Sequence, residues 1–203
     1  MIGDMSMEGR KRVKQVEATR QKIMLAAFPL LTGGSYDAVS MEEIALAAAV
    51  SRTSLYNHFD DKAAILDACF ADEFSAGALE LLGRATKISG RRERLAYVFD
   101  VFAKWAAPKK TLLLPVVLHG IRQSLAHSHE VHPLQAFFVA LIECPASNAD
   151  DKNDLEMLAH YLRHMYLAAT LRWLASEEPG PEMFFAEMLS LFLDGAEVKR
   201  GTT

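Results

Sequence analysis

Residues 51–59, Ser-Arg-Thr-Ser-Leu-Tyr-Asn-His-Phe, carry several side chains able to contact nucleic acid. Leu55 and Phe59 are four positions apart, so one helical face can anchor this segment to an apolar core. The polar side chains that remain on the outer face are Arg52, Thr53, Tyr56, Asn57 and His58. Arginine and asparagine form paired hydrogen bonds to base edges, whereas tyrosine and histidine donate to phosphate. Lys62, at the start of the following helix, adds positive charge beside a DNA backbone.

A short helix is predicted just before this segment. Ser40 and Glu43 have the spacing of a capping box, in which each side chain bonds the backbone amide of the other residue. Ile44 then faces inward, a turn is expected at about 48–50, and Ser51 can cap the second helix. Two short helices joined by a tight turn, with polar residues on the second, have the geometry of a helix-turn-helix. From spacing alone, a helical hairpin with a polar exposed side is the alternative.

The elements around this motif are also predicted to be helical. Apolar spacing indicates a first helix from about Val13 to the glycines at 33–34, which Pro29 should kink or restart. Asp60 or Asp61 can cap a fourth helix that begins at Lys62.

The rest of the chain shows helical spacing and no strand alternation. Pro115 is expected at or near the start of a sixth helix, and Pro133 in the first turn of a seventh. The final helix, over 181–198, is apolar around most of its circumference, so it must be covered on two sides. We expect the chain's own core on one side and a second subunit on the other. The sequence thus predicts an all-α protein of about nine helices.

Composition narrows the function classes. The net charge is −4 in 203 residues, although basic residues outnumber acidic ones over residues 1–24. Two cysteines in apolar surroundings argue against a disulfide framework or a Cys-rich zinc site. The sequence shows no signal peptide and no transmembrane run, which favours a cytoplasmic protein. It also lacks a Gly-rich phosphate loop, a serine nucleophile elbow and paired carboxylates, so we predict neither catalytic residues nor a cofactor.

Two groups of histidines could bind a transition metal, because imidazole nitrogens are common ligands. His127, His129 and His132 lie close together, but in a polar segment where histidines are commonly solvated. His160 and His164 share a helical face at i, i+4, but lack the glutamate of a zinc-hydrolase motif. The prediction from sequence is therefore that the chain has no metal site.

Two stretches resemble a known family. Residues 19–28 (TRQKIMLAAF) and 36–66 (YDAVSMEEIALAAAVSRTSLYNHFDDKAAIL) resemble the amino-terminal signature of the TetR family of transcriptional regulators, over about 17–77. The Thr-Arg opening, Ile-Ala, Val-Ser, Leu-Tyr-x-His-Phe and the following lysine fall in register without a gap. Ser35 and Ala49 stand where the family usually has glycine; if residue 49 needs a left-handed backbone, alanine costs about 1 kcal/mol there.

The resemblance implies that the chain is divided into three parts. Residues 1–16 would be a flexible basic arm and the start of the first helix, and 17–77 a three-helix DNA-binding head with its helix-turn-helix at about 40–59. Residues 78–203 would form an effector-binding and dimerisation body. We expect a homodimeric repressor that binds a palindromic operator in double-stranded DNA and is released by a small, largely apolar effector. The alternative is a body that recognises a protein partner.

The resemblance also assigns site residues. Base contacts are expected from Thr53 and Asn57, with Arg52 as a further candidate, and phosphate contacts from the residues Tyr56, His58, Lys62, Ser40 and Thr19. The candidate effector pocket comprises Phe99, Phe102, Trp105, Leu113, Val117, His119, Phe137, Phe138, Leu141, Tyr161, His164 and Met165. Each of these also has a plain interpretation as core. The expected dimer interface comprises Leu158, Leu162, Ala169, Trp173, Phe185, Met188, Leu189 and Phe192.

Overall fold

The computed structural model describes residues 7–126, 133–143 and 152–195, in which no β-strand occurs. Its helices are α1 (Met7–Gly33), α2 (Met41–Ala47), α3 (Arg52–Tyr56), α4 (Lys62–Ala85), α5 (Arg91–Ala106), α6 (Lys110–Ala126), α7 (Pro133–Ile142), α8 (Lys152–Leu174) and α9 (Glu182–Asp194). Two short 3-10 turns precede α2 and α6, at Tyr36–Ala38 and Ala107–Lys109. The predicted all-α class is confirmed. None of the described helices has the length and hydropathy needed to span a membrane.

The amino-terminal helices form a small aliphatic core, called here the head. Helix α1 packs against α2 and α4, and α2 packs against α3. Helices as short as α2 and α3 are unstable alone, since isolated helices need about 12–15 residues to persist in water. Their buried side chains therefore hold them in place. The shared core of the head consists of Ile23, Met24, Ala27, Leu31, Ile44, Ala45, Leu55, Phe59, Ile65 and Leu66.

The helix starts in the head follow the predicted caps. The Ser40 hydroxyl accepts from the Glu43 amide at 3.2 Å, and the Glu43 carboxylate accepts from the Ser40 amide at 2.7 Å. Ser51 accepts the amide three residues ahead at 3.1 Å. Asp61 rather than Asp60 caps α4, with a 2.8 Å hydrogen bond from the amide three residues ahead. Each cap contributes about 1 kcal/mol and fixes where its helix begins.

Of the three proline predictions, that for Pro133 is confirmed and that for Pro115 is wrong. Helix α1 continues through Pro29 to Gly33 without a restart. The carbonyl that loses its partner belongs to Leu25, and both residues are solvent-exposed, so water can satisfy it. Pro115 lies well inside α6 and not near its start. Pro133 is the first residue of α7, where its missing N–H costs nothing.

The turn between α2 and α3 contains a strained alanine. Ala49 has a φ of 48°, and among the described residues it alone has a positive φ without being glycine. That conformation costs about 1 kcal/mol for a residue with a Cβ. It is held by the Val50 amide, which donates to the Ala45 carbonyl at 3.0 Å. The Lys22 ammonium also donates to the Ala49 carbonyl, at 3.3 Å.

The body is a second helical layer joined to the head by α4. Helix α4 contacts α1 in the head and α6 and α7 in the body. Helix α8 packs on α7 and α9, and α5 packs on α9. A displacement of the body against α4 would therefore act on the helix that directly follows the α2–α3 motif.

Candidate nucleic-acid interface and body core

Helix α3 is anchored firmly to the head. Leu55 is fully buried and Phe59 almost so, as their four-residue spacing predicts. The Arg20 guanidinium lies 4.3 Å from the centre of the Phe59 ring and donates to the His58 carbonyl at 3.2 Å. Arg20 therefore fixes the end of α3 against α1. This role of Arg20 was not predicted from the sequence, although Arg20 follows Thr19 in the segment that resembles the family signature.

The outer face of α3 gathers four of the predicted DNA contacts. Arg52, Thr53, Tyr56 and Asn57 are exposed together on one surface, and Tyr56 is 48% exposed. Arg52 pairs with the Glu42 carboxylate on α2, which holds its guanidinium beside the turn. An exposed row of an arginine, a threonine, a tyrosine and an asparagine on an anchored helix has the donors and acceptors needed to bind base edges and phosphates.

Three other predicted DNA contacts have partners within the chain. The Thr19 hydroxyl donates to the carbonyl four residues earlier at 2.9 Å, and Ser40 is committed to its capping box. The Lys62 ammonium donates to the Tyr36 and Val39 carbonyls, both at 2.7 Å, and lies 4.5 Å from the centre of the Tyr36 ring. Lys62 thus clamps the 3-10 turn before α2, with its charge directed inward. His58 is half-buried.

The middle of the body is filled by aromatic rings. Their centroids lie 5.2–6.3 Å apart, mostly in tilted or edge-to-face pairs. We call this group the aromatic cluster: Phe74, Phe99, Phe102, Phe137, Phe138, Tyr166 and Phe185. Burial raises the pKa of Tyr166 to about 12, because the phenolate would lose its hydration. Such pairs contribute about 0.5–1.5 kcal/mol each beyond the burial of their area.

The aromatic cluster contains four of the predicted pocket residues, Phe99, Phe102, Phe137 and Phe138. Leu113 and Leu141 are buried in the continuous apolar core, and Trp105, Val117 and Met165 are half-buried. A groove of about 340 Å³ between α5 and α9 has Phe99 and Phe185 among its lining residues. The groove therefore gives solvent a path to the edge of the aromatic cluster.

Three predicted pocket residues lie elsewhere, which corrects the sequence-based pocket. Tyr161 and His164 are exposed on the outer side of α8, because the helix turns their faces away from Tyr166. His119 is buried but faces the head: its Nδ1 lies 3.8 Å from an oxygen of Asp61. Phe74, which the sequence analysis missed, takes part in the aromatic cluster from α4.

Asp61 joins the head to the body. The same carboxylate that caps α4 faces His119 and the Arg122 guanidinium of α6, the latter at 3.7 Å. Asp67 lies six residues further along α4. Burial raises its pKa, while the nearby His119 opposes that rise. A groove of about 430 Å³ opens beside this contact, between Tyr56 of α3 and Arg122 of α6. Sequence spacing could not have brought Asp61 and α6 together, because the contact is long-range.

Most of the predicted interface residues are already covered by their own chain. Because the body's own core buries these side chains, they offer almost no surface to a second copy: Leu162, Ala169, Trp173, Phe185, Met188 and Leu189. Leu158 and Phe192 are half-buried. The apolar side chains that α8 and α9 do expose are Met157, Tyr161, Met183 and Leu191, each 49–56% exposed. The predicted interface is corrected accordingly. The helical spacing of apolar residues locates α8 and α9 but does not show which of their faces stays exposed.

An anchored helix-turn-helix joined to a larger helical body is the architecture of a helix-turn-helix DNA-binding protein. Comparisons with known proteins agree with this class. The model of the family described as bacterial regulatory proteins, tetR family, matches residues 23–69. The HTH-type transcriptional regulator AcrR of Shigella flexneri is 30% identical over 115 residues, which are 54% of this chain and 53% of AcrR. The matched region thus spans about half the length of that relative.

Solved structures extend the likeness over nearly the whole chain. FadR of Thermus thermophilus, a TetR-family transcriptional repressor crystallised with lauroyl-CoA, superposes with a TM-score of 0.68 at 25% identity, over 91% of this chain and 98% of FadR. RolR in complex with resorcinol shares the fold, with a TM-score of 0.50 at 20% identity, over 88% of this chain and 89% of RolR. Residues 23–69 therefore match the TetR family of transcriptional regulators, and the fold of solved members of that family extends over nearly the whole chain.

Proposed function

We propose that this protein is a ligand-responsive repressor that binds a palindromic operator as a homodimer in the cytoplasm. The observation that carries the proposal is the outer face of α3, where Arg52, Thr53, Tyr56 and Asn57 are exposed while Leu55 is fully buried. Two such helices in a dimer read half-sites about 34–36 Å apart, or a related spacing. Thr53 and Asn57 are the proposed base contacts, and Tyr56 and His58 are the proposed phosphate contacts. Arg52 can contact either a base or a phosphate.

Selection of binding sites from random duplex DNA tests this proposal. The wild-type chain should enrich an inverted repeat, because a dimer presents the same helix twice. Asn57→Ala should relax the preferred sequence, whereas Tyr56→Ala should weaken binding with little change in preference. Failure to enrich any sequence, with and without the candidate effector below, would contradict the proposal.

Two arginines provide a matched control for the DNA surface. Arg52 and Arg84 are similarly exposed, and each pairs with a glutamate on the protein surface. Only Arg52 lies on α3. Arg52→Ala should weaken binding to the selected site by about 1–3 kcal/mol if it contacts a base, and Arg84→Ala should leave binding unchanged. Equal effects of the two substitutions would place the DNA-binding surface elsewhere.

We propose that the exposed apolar side chains of α8 and α9 form the dimer surface. Leu191 of α9 is 49% exposed, and Leu79 of α4 is even more exposed, at 82%. Leu191→Asp should shift the protein to monomers in analytical ultracentrifugation, because it places a charge in an apolar interface. Leu79→Asp is the control and should leave the association unchanged. A dimer that survives Leu191→Asp and a second substitution, Tyr161→Asp, would exclude this surface.

The aromatic cluster is the proposed effector site, reached through the groove between α5 and α9. An apolar ligand would separate rings such as Phe99 and Phe185 and replace their contacts with its own. Because FadR was crystallised with lauroyl-CoA, we propose an acyl thioester as the first probe. Lauroyl-CoA should lower the affinity for the selected operator, measured by fluorescence anisotropy. Coenzyme A without the acyl chain is the control, and equal effects would show that the apolar chain is not recognised.

Helix α4 is the proposed lever between effector and operator. Asparagine caps helices about as well as aspartate, so Asp61→Asn keeps the start of α4 but removes the charge that faces His119 and Arg122. We expect operator binding to persist, while the release by lauroyl-CoA becomes weaker. Asp60→Asn, a neighbouring exposed carboxylate, is the matched control. Equal separation of the two α3 helices in free and effector-bound crystals would count against the lever.

The second candidate function is a DNA-binding protein whose body binds a protein partner. The direct packing of the rings in the aromatic cluster favours it, because the cluster is already filled by its own side chains. The melting temperature of the protein distinguishes the two functions. An apolar effector that binds the folded state raises it, whereas no apolar ligand should change it if the body binds a protein partner.

A further inference from the structure

Two histidines project from the outer side of α8, away from the aromatic cluster. His160 and His164 are both exposed, and their ring centroids are 4.2 Å apart. They lie one turn apart in the interior of a 23-residue helix, so the backbone that carries them is rigid. Tyr166, two positions beyond His164, points the opposite way into the aromatic cluster. A ligand on the histidine pair would therefore leave the body core untouched.

The hydrogen bonds of His164 fix which ring nitrogen can accept a metal. Its Nδ1 lies 2.8 Å from the His160 carbonyl, and a carbonyl only accepts, so Nδ1 carries the proton. In the neutral ring the lone pair is then on Nε2. The Arg163 guanidinium lies 3.5 Å from that Nε2, on the side where a metal would bind. In metal proteins, a hydrogen bond from the ring nitrogen that does not bind the metal to a backbone carbonyl commonly orients a histidine ligand. The Nδ1 bond of His164 has this form.

We propose that His160 and His164 form a two-imidazole site for a divalent transition-metal ion of the Cu²⁺, Ni²⁺ or Zn²⁺ type. Metal–nitrogen bonds are about 2.0–2.1 Å long, so two ligating nitrogens stand roughly 3 Å or slightly more apart. Exposed rings at this centroid distance reach that separation by small side-chain rotations. The described residues hold no group of three or more histidine, cysteine or acidic side chains around one point. Water molecules would fill the other coordination positions.

The charges around the pair shape its affinity. The Arg163 guanidinium lies 3.5 Å from Nε2 of His164. It must leave that nitrogen when a metal binds, and its positive charge repels a bound cation. Removing this arginine should therefore tighten metal binding.

The site borders the surface proposed for dimerisation, because Tyr161 lies beside His160. Metal binding by the two imidazoles of one chain requires neither the dimer nor the operator, so its test is independent of the proposed function.

Isothermal titration of the untagged full chain with Cu²⁺, Ni²⁺ and Zn²⁺, each alone, tests the site. Affinity should be highest for Cu²⁺, following the general order for nitrogen ligands, and Mg²⁺ should not bind because it prefers oxygen. His160→Gln and His164→Gln should each weaken binding at least about tenfold, because loss of a ligand should cost no less than loss of a group that only orients one. Arg163→Gln should strengthen it.

His58→Gln is the matched control, since it removes an imidazole outside α8 and should leave the titration unchanged. Circular dichroism checks that each variant keeps its helix content. Retention of wild-type affinity in the doubly substituted chain, H160Q and H164Q together, would overturn the proposal, as would a wild-type chain that binds none of the three metals. Loss of binding in the His58→Gln variant alone would assign the metal to the head and equally overturn it.

Discussion

The head and the body of this protein are held together in different ways. The head core is mainly aliphatic, with Phe59 and the Phe28–Phe70 pair as its aromatic members. Its motif helices α2 and α3 have only seven and five residues. Side-chain caps set where they begin. The body has helices of up to 23 residues and a centre of aromatic rings in mutual contact. The head is therefore fixed by caps and short anchored helices, whereas the centre of the body consists of large rings whose mutual contacts the proposed effector would have to replace.

The largest effect is expected from emptying the aromatic cluster. Phe102→Ala should lower the free energy of unfolding by about 3–5 kcal/mol, because it removes a ring in contact with several others. Leu79→Ala, at an exposed position, should change it by less than about 0.5 kcal/mol. Denaturant unfolding measures both. A decrease of less than about 2 kcal/mol in the free energy of unfolding of Phe102→Ala would show that neighbouring rings collapse into the space. The core of the body would then be less tightly packed than its ring contacts indicate.

The anchor of α3 should rank next. Leu55→Ala should cost about 2–5 kcal/mol, since Leu55 is fully buried in a helix too short to persist without it. Leu46→Ala is the matched control in the head, because Leu46 is 82% exposed on α2. Operator binding should fail in the first variant and persist in the second. A Leu55→Ala chain that still binds its operator would contradict the view that packing fixes the reading helix.

The body should also lose stability in alkali. The folded pKa of Tyr166 is raised to about 12 from an ordinary value of 10.0, so the folded state keeps a proton that the unfolded state releases above about pH 10. Stability from this group is therefore complete below pH 10 and falls by about 2–3 kcal/mol as the pH approaches 12. Unfolding titrations should show a smaller alkaline loss in Tyr166→Phe. Tyr161→Phe, at an exposed position, should behave like the wild type; identical pH profiles for all three chains would contradict the assignment.

The smallest expected effect lies in the helix-turn-helix turn. Ala49→Gly should raise the free energy of unfolding by up to about 1 kcal/mol, because glycine adopts a positive φ without steric cost. Thermal unfolding of the variant measures the gain. Ala48→Gly provides the contrast, since Ala48 is buried in a right-handed conformation and glycine there should destabilise. A lower melting temperature for Ala49→Gly would mean that the strain at this turn is not stored as proposed.

What the sequence could predict depends on how local each interaction is. Ser40, Ser51 and Asp61 cap amides only three residues away, so this chemistry can be predicted from the sequence. The anchoring of Leu55 and Phe59 also follows from a single helical period. The family signature lies in the same segment, which is why the head was predicted in more detail than the body.

The predictions that failed concern contacts between distant segments. An apolar stripe such as Leu162 and Trp173 looks the same whether its own chain or a partner covers it. His119 was expected in the body pocket because nothing near it in sequence reveals that Asp61 lies opposite. Pro115 was expected at or near the start of α6, but the helix begins five residues earlier, at Lys110.

The clamp formed by Lys62 has a consequence for how DNA affinity should respond to salt. Each lysine or arginine that neutralises a phosphate releases bound counterions, and the slope of log affinity against log salt concentration counts those contacts. An ammonium held by the Tyr36 and Val39 carbonyls displaces no counterion from DNA. The ionic-strength slope should therefore be set by Arg52 of α3 and the basic residues in the first turns of α1. It should stay the same in Lys62→Met even as the head itself becomes easier to unfold.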